Sequence, residues 1–131
     1  MDIKNIKTEL QNASLDKKAG IKLIKLTGNF DISVFAAEIP AKTALNPHFH
    51  KHGIEIYQIL EGEGTMKTGN LENNNVNWNE IFNVLKGDCF SINEMEVHQI
   101  VNSTDNPLIA VFTCSESHLG DDRYFVSNIG D

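Results

Sequence analysis

Three of the chain's five histidines, His48, His50 and His52, fall in the segment NPHFHKHGIEIY, and Glu55 follows closely. In an extended strand successive side chains point to opposite faces, so His48 and His50 share one face about 6 to 7 Å apart. Two imidazoles placed in this way can converge on one cation. A turn around Lys51 to Gly53 returns the chain and brings in Glu55, whose carboxylate adds to the same face. His98 lies farther on, in another strand-like segment. Any one of these histidines alone reads as a surface or core residue with satisfied hydrogen bonds. His52 adjoins Gly53, where the strand must already turn, and reads as a loop or outer-layer residue rather than a ligand. His118, in SESHLGDDRYF, lies beyond the last clear strand and reads as an exposed loop residue.

The elements that must position these groups are mostly strands. Ile3, Ile6 and Leu10 recur at helical spacing and predict one short helix near the N-terminus. After Gly20 the period changes. Strands are expected at 21–26, 30–39, 55–60, 65–68, 76–85, 88–92, 98–102 and 108–114, segments rich in Ile, Val and Phe. Gly28-Asn29, Gly62-Glu63-Gly64, Gly69-Asn70, Lys86-Gly87-Asp88 and Asp105-Asn106-Pro107 separate them as turns. Short strands punctuated in this way predict an all-β sandwich or barrel, with the Asn-rich stretch 70–79 as a hairpin tip or inserted loop and 119–131 without pattern. Alternation from Glu55 places Tyr57 and Ile59 on the site-facing side, and alternation from His98 adds Ile100 and Asn102. Together these residues outline a pocket, although Tyr57 and Ile59 equally suit plain barrel filling.

Composition bounds the partners. The chain has 131 residues, enough for one domain (1–131), read as an N-terminal extension 1–20, a barrel 21–114 and a C-terminal segment 115–131. Its net charge of −7 and the lack of a basic stripe argue against nucleic acid or an anionic membrane as the main partner. No apolar run has the length of a signal peptide or a membrane span. Two well-separated cysteines, Cys89 and Cys114, form neither a disulfide framework nor a CxxC motif, so a cytoplasmic location and a core role for both are expected. Phe49, Phe90 and Phe112, read as outward, leave apolar surface for a homodimer to cover, and the strand from Ile21, with Lys22 and Lys25 outward, is expected at a protected edge.

The spacing His48-x-His50, four residues, Glu55, six residues, Gly62 resembles the first motif of the cupins. In GDCFSINEMEVHQIVN, Gly87, His98 and Asn102 resemble the second. The resemblance implies a jelly-roll barrel (double-stranded β-helix) holding one divalent metal on His48, His50, Glu55 and His98. Three neutral imidazoles and one carboxylate suit Fe, Mn, Ni, Zn or Cu better than Ca or Mg. Lys42 stands where the first motif begins with Gly, and Asn93 and Met95 stand where the second has Pro and Gly, all at turn positions. HFHKHGIEIY is also similar to the cupin-type phosphoglucose isomerases, whose site would fall on Glu55, Tyr57 and His118, although Leu45-Asn46-Pro47 replaces their Thr-Lys-Gly. The expected activity is binding or conversion of a small molecule, a sugar or organic acid, in the barrel beside His118, Ile59, Ile100 and Asn102. Glu55 and Tyr57 are the catalytic candidates. A sugar-phosphate isomerase and a metal-dependent dioxygenase remain the alternatives.

Overall fold

The computed structural model describes residues 1–128. One helix, α1 (Ile6–Gln11), precedes twelve strands: β1 (Leu15–Asp16), β2 (Ile21–Gly28), β3 (Ser33–Ile39), β4 (Thr43–Ala44), β5 (His48–Phe49), β6 (Glu55–Glu61), β7 (Glu63–Glu72), β8 (Asn75–Leu85), β9 (Cys89–Ile92), β10 (Val97–Asn102), β11 (Leu108–Cys114) and β12 (Tyr124–Phe125). They pair antiparallel in two sheets, one ordered β1-β2-β3-β11-β6-β9, the other β12-β5-β10-β7-β8 with β4 also on β10. The inner faces enclose the main core, a double-sheet barrel built on alternation: along β6, Glu55, Tyr57 and Ile59 are buried while Ile56 and Gln58 are exposed.

At the centre of the first sheet, β11 is the chain's longest apolar run, and it is buried on both faces. Its inner face carries Phe112, stacked on Phe35 at 5.4 Å and on Tyr57 at 5.5 Å, and Tyr57 in turn stacks on Phe90 at 5.4 Å. These are cross-strand neighbours in register, so one row of four rings crosses β3, β11, β6 and β9. Each stacked pair contributes about 0.5 to 1.5 kcal/mol beyond burial. The outer face is covered by α1, whose Leu10 joins Leu26, Ala36 and Ile109 in a second apolar cluster. Asn5 caps the helix by accepting from the Thr8 backbone N–H at 3.1 Å.

Several sequence expectations are corrected. Phe112 faces inward and is buried, because the inner face needs large side chains; Phe49 is buried on the face opposite His48, with its ring stacked on Tyr124 at 5.3 Å; and Phe90 is half-buried in the ring row. Cys114 is a core residue, but Cys89 is exposed on β9. The Asn-rich stretch is mostly strand, since β7 and β8 pair from Glu63↔Leu85 to Glu72↔Asn75 and only Asn73 and Asn74 turn, both at positive φ. The strand from Ile21 is not a bare edge, for β1 pairs with its start. Beyond Cys114 the chain still belongs to the barrel, because β12 pairs with β5. Asn102 is buried, but it does not face a pocket: its Nδ2 donates to the carbonyls of Ile39, Pro40 and Asn106 at 3.0, 3.1 and 2.8 Å, so it ties loops at the barrel's end.

The turn positions where Gly was expected do take the left-handed conformation, Lys42 at φ 59° and Met95 at φ 66°. Met95 is exposed, and its backbone N–H donates to the His50 carbonyl at 2.7 Å, which explains why the strained turn is kept. Replacing it with Gly relieves the crowding between Cβ and backbone without removing core contacts. Met95→Gly is expected to stabilise the protein by about 1 kcal/mol, measured as a raised midpoint in urea unfolding with an unchanged slope.

Candidate metal centre

Strand β5 ends on the histidine segment and β10 lies beside it, with His98 directly opposite His48 in register and the two rings 4.2 Å apart. His50 follows β5 on the same side as His48, as alternation requires. Glu55 opens β6 on the other sheet, so its carboxylate meets the three imidazoles across the barrel interior. All four residues are buried. One ring nitrogen of each of His48, His50 and His98 lies within 4.8 Å of the others. His50 Nε2 is 2.9 Å from Glu55 Oε2, and His98 Nε2 is 3.9 Å from Oε1.

Each ring is oriented by its other nitrogen. His48 Nδ1 lies 2.9 Å from the Asn46 carbonyl, His50 Nδ1 2.6 Å from the Asp122 carbonyl and His98 Nδ1 3.1 Å from the Glu96 carbonyl. A carbonyl only accepts, so in each neutral imidazole Nδ1 carries the proton and Nε2 presents a lone pair. Among the described residues nothing satisfies the Nε2 atoms of His50 and His98 by hydrogen bonding. The close approach of His50 Nε2 to Glu55 is therefore one acceptor against another, an arrangement that a cation between them converts from repulsion to attraction. Tautomers fixed by backbone carbonyls are what metal-binding histidines require. The donor set fits a borderline divalent transition metal.

Burial lowers the His98 pKa to about 4, with Glu55 opposing the shift, and His48 lies well below its usual value through burial and the neighbouring His98 and His50. Burial alone would raise the Glu55 carboxyl, but the hydrogen bond with His118 holds it well below the usual range. Burial, aided by the Glu55 charge, raises the Tyr57 phenol, which stays protonated. Imidazoles neutral and carboxylate ionised are the states that coordinate metal.

His118, expected in an exposed loop, is buried in the 3₁₀ turn Glu116–Leu119. Its Nδ1 meets Glu55 Oε2 at 2.9 Å, its Nε2 meets the His52 carbonyl at 2.6 Å, and its ring stacks on His50 at 4.0 Å. It holds the Glu55 carboxylate in place. His52 itself is exposed, and only its backbone contributes. Asp122, which the sequence reading missed, secures the same turn: Oδ1 accepts from the Lys51 N–H at 2.7 Å and Oδ2 from the His52 N–H at 3.0 Å. No periodic signal marked it, because it acts from an irregular segment.

A narrow cavity of about 30 Å³ adjoins the cluster. His48, His50, Glu55, Tyr57 and His118 line its inner end, Ile100 and other apolar side chains its walls, and Arg123 is also among its lining. Ile59 packs in the core without lining the cavity.

The fold and the site define a small double-sheet β-barrel with a buried His₃Glu cluster. Residues 21–128 match the cupin family, and the chain belongs to it. Solved structures agree on the fold. A Cupin 2 conserved barrel domain protein from Salinispora arenicola CNS-205 is 17% identical, with a TM-score of 0.68 over 92% of this chain and 93% of that one. The protein TT1209 from Thermus thermophilus is 20% identical, with a TM-score of 0.68 over 88% of this chain and 98% of that one. The oxalate decarboxylase of Lactobacillus farciminis, in a formate complex, is 20% identical, with a TM-score of 0.64 over 80% of this chain and 31% of that one. No curated protein matches the sequence.

The buried histidines give stability a pH dependence of definite sign. A histidine with a lower pKa folded than unfolded takes up protons on unfolding, so the contributions of His98 and His48 are complete above about pH 6.5 and fade as pH falls toward 4. His118 acts in the opposite sense, since Glu55 and the His52 carbonyl raise its pKa against burial. The melting temperature of the metal-free protein is expected to fall between pH 6.5 and 4, and His98→Gln should flatten that decline, as followed by circular dichroism.

Proposed function

We propose that the protein binds a small molecule inside its barrel beside one divalent transition metal held by His48, His50, Glu55 and His98. The observation that carries this reading is the pair of buried, unsatisfied Nε2 atoms facing a carboxylate, with every tautomer fixed by a backbone carbonyl. A bound metal supplies Lewis acidity at the inner end of the cavity. The chain's own groups do the rest. His118 fixes the Glu55 carboxylate, Tyr57 offers a protonated hydroxyl, and the apolar walls exclude water and strengthen charge interactions. Glu55 and Tyr57 are the candidates for exchanging a proton with a ligand. The narrowness of the cavity disfavours a ligand as large as a phosphorylated hexose, which weakens the sugar-phosphate isomerase alternative.

The purified protein is expected to carry one transition metal per chain by elemental analysis. His48→Ala and His98→Ala should abolish retention, and His118→Ala should weaken affinity about 10- to 100-fold, as for other groups that orient a ligand. Full metal content in both ligand variants at neutral pH would overturn the assignment.

We also propose that two copies pair through β8. Among the described residues this eleven-residue strand has one free edge, exposes Ile81, Phe82 and Leu85, and is guarded only by the single charge of Glu80 and a bulge at Asn79. Light scattering should give twice the chain mass, and Phe82→Lys should give the monomer.

A further inference from the structure

The cavity beside the histidine cluster carries an unexpected charge at its wall. Arg123 is the one Lys or Arg in its lining, its side chain is nine-tenths buried, and its guanidinium lies 5.1 Å over the Phe125 ring, which itself packs on His48. Among the described residues its one hydrogen-bond partner is Asp16, with Nη1 donating to Oδ2 at 2.9 Å. A guanidinium has five N–H donors, so most of this donor fork is uncommitted. Arg123 also lines an outer groove together with Lys18, which places two cations along one approach in a chain of net charge −7.

Resting on the metal-binding reading above, we infer that the ligand is a short-chain carboxylate whose carboxyl group docks on Arg123 while its other end points toward the histidines. Arg matches a carboxylate with two parallel N–H···O bonds. The apolar walls suit a carbon chain, and the narrowness of the cavity limits it to a short one. Asp16 occupies part of the fork in the unliganded protein and can yield it. Its other oxygen, Oδ1, accepts from the Lys18 and Ala19 backbone N–H groups, both at 3.0 Å, so Asp16 stays anchored when Arg123 turns to a ligand.

The test is calorimetric titration of the full chain with acetate, pyruvate and oxalate, each against its neutral amide (acetamide, pyruvamide, oxamide), on metal-loaded and metal-free protein. At least one acid should bind about tenfold or more tightly than its amide. Arg123→Gln should bring that acid to the level of its amide with metal content unchanged. Asp16→Asn should tighten acid binding several-fold, because it frees the fork. A purely structural ion pair predicts otherwise: both variants lose stability and neither alters the preference for acid over amide. That result, or no acid binding at millimolar concentration, overturns the inference. If Arg123→Gln fails to fold, Asp16→Asn decides alone, with unchanged or weaker acid binding counting against it. Absent metal with an Arg123-dependent preference intact would sink the metal reading alone. Retained metal without that preference would sink this inference alone.

Discussion

Lone pairs that face one another in a dry interior govern this structure. His50 and His98 each turn an unprotonated Nε2 toward the Glu55 carboxylate, and the backbone carbonyls on their far sides hold them that way. Burying polar groups without partners costs free energy, and burying a carboxylate costs more. The fold accepts that cost where two sheets meet, with the imidazoles on one and the carboxylate on the other. A cation at the centre would turn the arrangement into a stable one, and metal binding would then be coupled to the stability of the barrel mouth.

The surroundings keep that convergence from relaxing. On one side the rings of Phe35, Phe112, Tyr57 and Phe90 fix β6, and with it Glu55. On the other, the turn after His50 is bound from two directions. Glu94 accepts from the Gly53 N–H at 2.9 Å, and Asp122 accepts from the two preceding N–H groups. His118 closes the ring of contacts by bridging Glu55 and the His52 carbonyl. The Asp122 and His118 contacts come from the segment after β11, which therefore acts as a strap across the mouth of the barrel rather than as a tail. Among the described residues no helix is long and apolar enough to cross a membrane.

The alternation of β6 and of the histidine segment was legible in the sequence because strand geometry is local: a period of two residues decides which side chains share a face whatever the partner strands are. That logic placed His48, His50, Glu55, Tyr57, Ile59 and Ile100 on the interior side, and the glycine-like turns at Lys42 and Met95 followed from motif spacing. The same logic misled at Asn102, which has the right parity but sits far enough along β10 to serve loop carbonyls instead of the cavity. It also misread Phe112 as outward, because a strand's period names two faces without saying which is the core. What only the tertiary structure decided lies in long-range contacts without period. Asp122 and Arg123 reach their partners from an irregular segment, each through contacts with residues more than sixty positions away, and the bond that ties His118 to Glu55 spans a similar separation. No local propensity encodes such pairings, since they exist only once both sheets have closed around a common interior.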